Sequence, residues 1–256
     1  MAYTIAVCGK GGTGKTTFSA LLIQQILKAQ NDKSIIAVDA DPNSNLDQAL
    51  GLSSTSSIVS IVDQIAKNPE QVPAGMSKDR FIEYQIQDTL LEAEGFDLLA
   101  MGRPEGPGCY CFVNNLLRSL IEKLSKAYNY MVIDNEAGME HLSRRTTRKI
   151  DLLFIVSDCS VVGLRSAKRI LELTRELKLT VQEAKLVLNK SAHGIDNLKP
   201  EIEQLGISLA GVIPQDEEVM KVSLVSGNVR ALSEDTKAVT AVSQICKEVV
   251  NGSRIN

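Results

Sequence analysis

A short apolar run, Tyr3–Cys8, empties directly into Gly9-Lys10-Gly11-Gly12-Thr13-Gly14-Lys15-Thr16, and a helix-forming stretch follows at once. This junction constrains the fold more than any other feature. A strand-length run with no polar alternation belongs inside a sheet that is covered on both faces. A glycine-rich turn that hands such a strand to a helix opens a strand–helix–strand unit. The chain repeats the theme: strand-like runs recur at Ser34–Asp39, Phe96–Met101, Tyr130–Asp134, Asp151–Ser157, Lys185–Asn189 and Leu209–Ile213. Between them lie amphipathic stretches. Over Phe112–Tyr128, Val113, Leu116, Leu117, Leu120, Ile121 and Leu124 fall on one helical face. The expected fold class is α/β, a doubly wound, mostly parallel sheet with right-handed crossovers, forming a single domain over 1–256. Residues 53–95 are the least regular; they read as helical, with turns near Asn68–Pro69 and Pro73–Gly75.

Composition narrows the function classes. The 28 basic and 31 acidic residues give a net charge of −3, which argues against broad contact with nucleic acid or anionic lipid. No apolar stretch reaches membrane-spanning length, and Lys10 and the glycines break the one early apolar run that a signal peptide would need. Five cysteines, an odd number in a chain whose 44% hydrophobic residues can fill a core, do not read as a disulfide framework. The expectation is a reduced, cytoplasmic protein without membrane or nucleic-acid partners.

Residues 9–16 satisfy G-x-x-x-x-G-K-[ST] in its required context, strand before and helix after. The glycines let backbone amides turn inward around phosphate oxygens, and the helix adds its positive end. Lys15 is placed to reach the β and γ phosphates of a nucleoside triphosphate, and the Thr16 hydroxyl to coordinate Mg²⁺. Lys10 is not required by that pattern. Gly-Lys-Gly-Gly-x-Gly-Lys-Thr-Thr, ending at Thr17, resembles the deviant Walker A loop of the P-loop family that contains division-site and plasmid-partitioning ATPases and the nitrogenase iron protein. The resemblance implies an ATP-dependent homodimer in which Lys10 crosses the interface toward the partner's nucleotide.

Further residues fit the same family. Asp39-Ala40-Asp41-Pro42 closes the second strand where the family has switch I. Two acids beside a triphosphate repel it unless Mg²⁺ or water intervenes, so Asp39 can hold the metal shell and Asp41 can orient the attacking water. Met131–Asp134 is an apolar strand ending in an acid, the Walker B arrangement, with Gly138 at the switch II turn. Asn189 and the Gly211–Pro214 segment resemble the family's adenine-contacting positions, and an amide can read adenine with both donor and acceptor. The implied catalytic set is Lys10, Lys15 and Asp41, with Thr16, Asp39 and Asp134 around Mg²⁺.

The cysteines separate into two groups. Cys8, Cys159 and Cys246 read as structural thiols. Cys109-Tyr110-Cys111 instead sits in a Gly/Pro-rich loop at the entrance to a helix, where thiolate is favoured. Two thiolates form half a soft-metal site for Zn²⁺, Ni²⁺, Cu⁺ or an Fe–S cluster, and a face-to-face dimer can supply the other half. Residues Gly102–Cys111 and Asp134–Leu142 resemble the CooC/AcsF-type nickel-insertion ATPases that mature carbon monoxide dehydrogenase and acetyl-CoA synthase. The resemblance implies a Ni²⁺ (or Zn²⁺) site made by Cys109 and Cys111 of both subunits, gated by the ATP/ADP cycle, with one of those two enzymes as client. His141 and His193 read as non-ligands.

Two other readings compete. An iron–sulfur electron carrier like the nitrogenase iron protein needs a cysteine after the Walker B strand, where this chain has Met139, Glu140 and His141. A cluster on four C-x-C sulfurs stays open. A membrane- or DNA-positioning ATPase needs a basic amphipathic helix or a basic surface. The last helix, about Thr236–Asn251, carries Val239, Val242, Ile245, Val249 and Val250 with few basic residues, and reads as core-packing. The Arg144–Lys149 cluster is short and lies beside switch II.

Overall fold

The structure is a computed structural model that describes residues 1–29, 32–43, 45–53, 56–102, 110–136 and 149–253; for 110–118 and 251–253 it describes the backbone alone. The strands are β1 (Tyr3–Gly9), β2 (Ile35–Asp39), β3 (Leu91–Ala93), β4 (Phe96–Ala100), β5 (Tyr130–Asp134), β6 (Lys149–Asp158), β7 (Thr180–Ser191) and β8 (Ser208–Pro214). They form one sheet in the order β3-β4-β2-β5-β1-β6-β7-β8. All pairings are parallel except β3 with β4. The seven strands expected from apolar runs are therefore all present. β3 was not foreseen, because Leu91–Ala93 is too short to show a period.

Alternation along each strand sends successive side chains to opposite faces. One face carries Ile5, Val7, Ala37, Val132 and Phe154, packed against α1 (Lys15–Ala29), α2 (Leu46–Ala49) and α9 (Lys237–Ser253). The other face is covered in two halves. Val38, Leu99 and Ile133 meet α3 (Ile58–Lys67), α4 (Lys78–Gln87) and α5 (Tyr110–Ala127). Ala6, Cys8, Leu153 and Leu188 meet α6 (Val161–Glu176) and α7 (Lys199–Leu205). Both faces are buried, which is why the strands read as continuous apolar runs. Residues 53–95 supply α3 and α4, with a 3-10 turn at Pro69–Gln71 and a turn from Pro73 to Met76 between them.

The last helix buries Val239, Val242, Ile245, Val249 and Val250. The core-packing reading of that segment holds. No helix among the described residues is long and apolar enough to cross a membrane.

The topology places the functional end. β1 lies between β5 and β6, and the chain leaves β1 toward β2 on one side but later passes to β6 on the other. Such a reversal opens a crevice beyond the carboxyl ends of the strands, and the loop after β1 lies in it.

Candidate functional site

Gly9–Thr16 leaves β1 and enters α1 at Lys15. Gly12 and Gly14 have φ of 79° and 86°, in the left-handed region that disfavours other residues. The loop's carbonyls are turned toward protein donors. Lys10 O accepts from the Thr13 hydroxyl at 2.9 Å and from Lys15 Nζ at 3.3 Å. Thr13 O accepts from Asn189 Nδ2 at 2.7 Å. A peptide plane whose oxygen is held outward keeps its N–H on the opposite side. Lys15 is buried along its stem, whereas Lys10 lies exposed at the rim.

Strand ends bring three acids to the loop. Asp39 and Asp134 are both about 1% exposed, so neither is a solvated strand-end carboxylate. Asp39 accepts from the backbone N–H groups of Asp41 at 3.1 Å and Leu46 at 2.9 Å, fixing the turn that follows β2. Burial pushes its carboxyl up to about 7, with repulsion from Asp134 and Asp41 adding to the rise. Asp134 accepts from the Ser19 hydroxyl at 3.0 Å. Burial pushes it up to about 6, against hydrogen bonds from Thr16 and Ser19 and the attraction of Lys15. Asp41 turns inward beside the loop, and its carboxylate accepts from Asn43 N at 2.8 Å.

Buried oxygen acids with raised pKa values, next to a Thr hydroxyl, are a donor set suited to a hard cation. Mg²⁺ usually takes one or two protein oxygens, waters and phosphates rather than a protein cage. Consistently, no cluster of three or more His, Cys, Asp or Glu among the described residues could hold an ion by itself. The donors fit Mg²⁺ held largely by nucleotide and water.

The sheet ladder continues past the strands. Met101 N donates to Asp39 O, Ala40 N to Asp134 O, and Asn135 N to Val7 O, at 2.9, 2.9 and 3.1 Å. The segments after β4, β2, β5 and β1 are thus tied edge to edge. Beside them opens a cleft of ≈ 880 Å³, the size of a small-ligand pocket. Gly11, Gly12, Gly14–Thr17, Asp41 and Glu136 line one end; Asn189, Pro214, Gln215 and Met220 line the other. Most of the residues expected to hold nucleotide therefore share one cavity.

Several contributors were missed by sequence reasoning. Ser19 lies one helical turn after Thr16, and that spacing on α1 is the signal that could have found it. Asp216 caps α8 (Glu217–Val225) through Glu218 N at 2.9 Å and also accepts from Ala238 N at 3.1 Å, so one side chain joins α8 to α9 beside the cleft. An Asp followed by two glutamates is a helix-start pattern. Glu136 fell within the Asp134–Leu142 segment without a role of its own, and Lys190 gave no sequence signal.

The other predicted residues lie partly outside the described region. Cys109, Gly138 and His141 fall there; Cys111 is described as backbone, in the first turn of α5. The structural reading of Cys8 and Cys246 holds, since both are buried.

Comparison with known proteins agrees with this geometry. Residues 4–226 match the model of the CobQ/CobB/MinD/ParA nucleotide binding domain. An uncharacterized ATP-binding protein of Methanocaldococcus jannaschii is 41% identical over 257 residues, covering 96% of this chain and 98% of the other. The carbon monoxide dehydrogenase accessory protein CooC of Rhodospirillum rubrum is 33% identical over 205 residues, 75% of this chain and 76% of that protein. Among solved structures, a ParA family ATPase from Chlorobium tepidum has a TM-score of 0.71 at 21% identity, covering 97% of this chain and 98% of the other. MinD of Aquifex aeolicus has a TM-score of 0.69 at 20% identity, covering 98% and 97%. A glycine loop at the centre of a parallel sheet, buried acids at the neighbouring strand ends and a match over residues 4–226 lead to one assignment: the chain is a P-loop ATPase and belongs to the CobQ/CobB/MinD/ParA nucleotide-binding family.

Proposed function

We propose that this ATPase is a homodimeric nickel-insertion accessory protein, serving carbon monoxide dehydrogenase or acetyl-CoA synthase. The observation that carries the reading is the sequence Cys109-Tyr110-Cys111, with Cys111 in the first turn of α5, which begins at Tyr110. A helix N-terminus favours thiolate, and two thiolates from each subunit make a four-sulfur site that takes Ni²⁺ or Zn²⁺ as cargo. In sequence, the pair follows Met101, whose N–H is bonded to the carbonyl of Asp39. Similarity to CooC, a carbon monoxide dehydrogenase accessory protein, supports the choice of cargo and client.

In the ATPase step, Lys15 and the P-loop amides hold the phosphates. Thr16, Asp39 and Asp134 are the residues that would hold Mg²⁺ beside the phosphates. When bound, Mg²⁺ offsets charge on the transferring phosphoryl group. Asp41 orients the attacking water, and Lys10 reaches the partner's nucleotide. Asn189 and Pro214 contact adenine: Asn189 spends one donor and one acceptor on Thr13 O and Lys190 N, which leaves one of each for a base.

The test is anaerobic Ni²⁺ binding by the reduced protein, with native mass measured at each step, for wild type and Cys109→Ser/Cys111→Ser. One nickel per dimer, lost with the cysteines, supports the reading. Cysteine-dependent iron in its place would redirect it to an iron–sulfur carrier. No cysteine-dependent metal would sink it and leave positioning as the next hypothesis. MinD of Bacillus subtilis, a septum site-determining protein, is 26% identical over 256 residues. Against a membrane version carried by α9, that helix commits its apolar face to the sheet.

A further inference from the structure

Lys190 belongs to none of the roles above, yet its backbone is strained toward the P-loop. Its φ is 57°, in the left-handed region, where a non-glycine residue is uncommon and costs energy. Lys178 shares this conformation but follows the end of α6, where such a residue commonly caps a helix. Lys190 stands inside β7. Asn189 still pairs with Asp158 of β6, and Ser191 pairs with Pro214 of β8, while the β7–β8 register shifts between Leu188 and Ser191. A bulge of this kind bends a strand and re-aims a side chain. Here the side chain runs to the P-loop, where Lys190 Nζ donates to Gly12 O at 2.8 Å. Its stem passes beside Gly14, where a Cβ would lie 3.8 Å from Lys190 Cε and would overlap the Asn189 amide nitrogen.

Asn189 and Lys190 therefore hold two consecutive peptide planes. Asn189 takes Thr13 O, which fixes the plane that carries the Gly14 N–H. Lys190 takes Gly12 O, which fixes the plane that carries the Thr13 N–H, and that N–H closes the turn onto Lys10 O at 3.4 Å. We infer that Lys190 is a positioning residue for the ATPase: it braces the Gly12–Thr13 peptide, and with it the turn onto Lys10 O that sets the direction of the neighbouring loop amides toward the phosphates. It works through the loop rather than through base or ribose, and it is independent of any metal cargo.

The test uses Lys190→Ala, Lys190→Gly and Lys190→Arg in the full chain. MgADP affinity is read by calorimetry, magnesium pyrophosphate affinity by competition, and thermal stability without nucleotide. Pyrophosphate reports the loop alone, because it has no nucleoside. Removing a charge-assisted hydrogen bond should weaken both ligands about tenfold in the Ala and Gly variants. Arg, which keeps a cationic donor, should stay within about twofold. Gly relieves the left-handed strain, so its melting temperature should not fall below wild type. Unchanged affinities in Ala and Gly would overturn the inference. So would a loss for ADP but not pyrophosphate, which would place Lys190 on the nucleoside. A loss in Ala that Gly does not share, accompanied by a lower melting temperature, would make the effect one of folding and equally overturn it.

Discussion

At the residue scale, Asp39 and Asp134 are acids kept from water and close enough to repel each other. Their raised pKa values set a sign for pH dependence in protein freed of nucleotide and metal. Unfolded, Asp39 ionises near the ordinary carboxyl value of 3.8; folded, only near about 7. Between those values the folded state holds the extra proton, so this group's stabilising effect is complete below the unfolded pKa and is lost as pH rises toward 7. Asp134 acts in the same direction, with a window ending near about 6. Asp39→Asn removes the first contribution. Its melting temperature relative to wild type should therefore climb as pH rises across that window, on top of a fixed offset from the altered Leu46 and Asp41 bonds. A flat or falling difference would contradict the burial argument. Thiols offer a second check. Burial pushes Cys246 up to about 12 and Cys8 higher still. Thiolate is the reactive form. Native alkylation at mildly alkaline pH should leave both unlabelled by mass mapping, and denaturant should expose them.

At the scale of elements, the long apolar strands were legible because burial on both faces leaves an unbroken hydrophobic run, as in Ile35–Asp39 and Tyr130–Asp134. Tyr110–Ala127 was legible from the spacing of its apolar residues. The segment from 53 to 95 was legible as helix but not in its detail. α3 and α4 are each 10 residues, and β3 spans 3, too short for period alone to fix their ends. Turns at Asn68–Pro69 and Pro73–Gly75 did mark the break between the helices. The phosphate loop and its acids were legible because their chemistry requires fixed residue types at strand ends. Lys190 was not, because its role depends on one backbone angle and on a register shift. α3 carries a prediction of its own. Ser57 accepts from Ser60 N while the Ser60 hydroxyl accepts from Ser57 N, a reciprocal cap on a helix that buries Ile58, Ile61 and Val62. Ser57→Ala should cost about 1 kcal/mol in urea unfolding. ADP affinity should be unchanged, because Ser57 lies outside the nucleotide cleft. A coupled loss of affinity would mean that the α3 cap communicates with the site through Met101, whose carbonyl accepts from Val59 N.

At the scale of the whole molecule, the proposed homodimer would divide binding and closure between the two P-loop lysines. Lys15 is buried under its own loop, near Asp134, and its amine rests 3.3 Å from Lys10 O. Lys10 is exposed at the rim, so its side chain can leave the subunit without uncovering any core. If the homodimer forms across this face, the two substitutions must separate. Lys15→Ala should abolish tight MgATP binding in the monomer itself, because it removes the charge opposite the phosphates. Lys10→Ala should leave monomer affinity for MgADP within about twofold, since its side chain is exposed at the rim and does not line the cleft. It should nevertheless prevent ATP-dependent dimerisation by analytical ultracentrifugation, and lower turnover by about a hundredfold, the scale seen when one charge-stabilising donor is lost. Turnover per subunit in wild type should rise with protein concentration through the dimerisation range, and this dependence should vanish in the variant. Wild-type dimerisation and turnover in Lys10→Ala would end the crossing-lysine model. The proposed four-sulfur metal site would survive that outcome, because it needs a dimer that joins one cysteine pair from each subunit and does not need Lys10 itself.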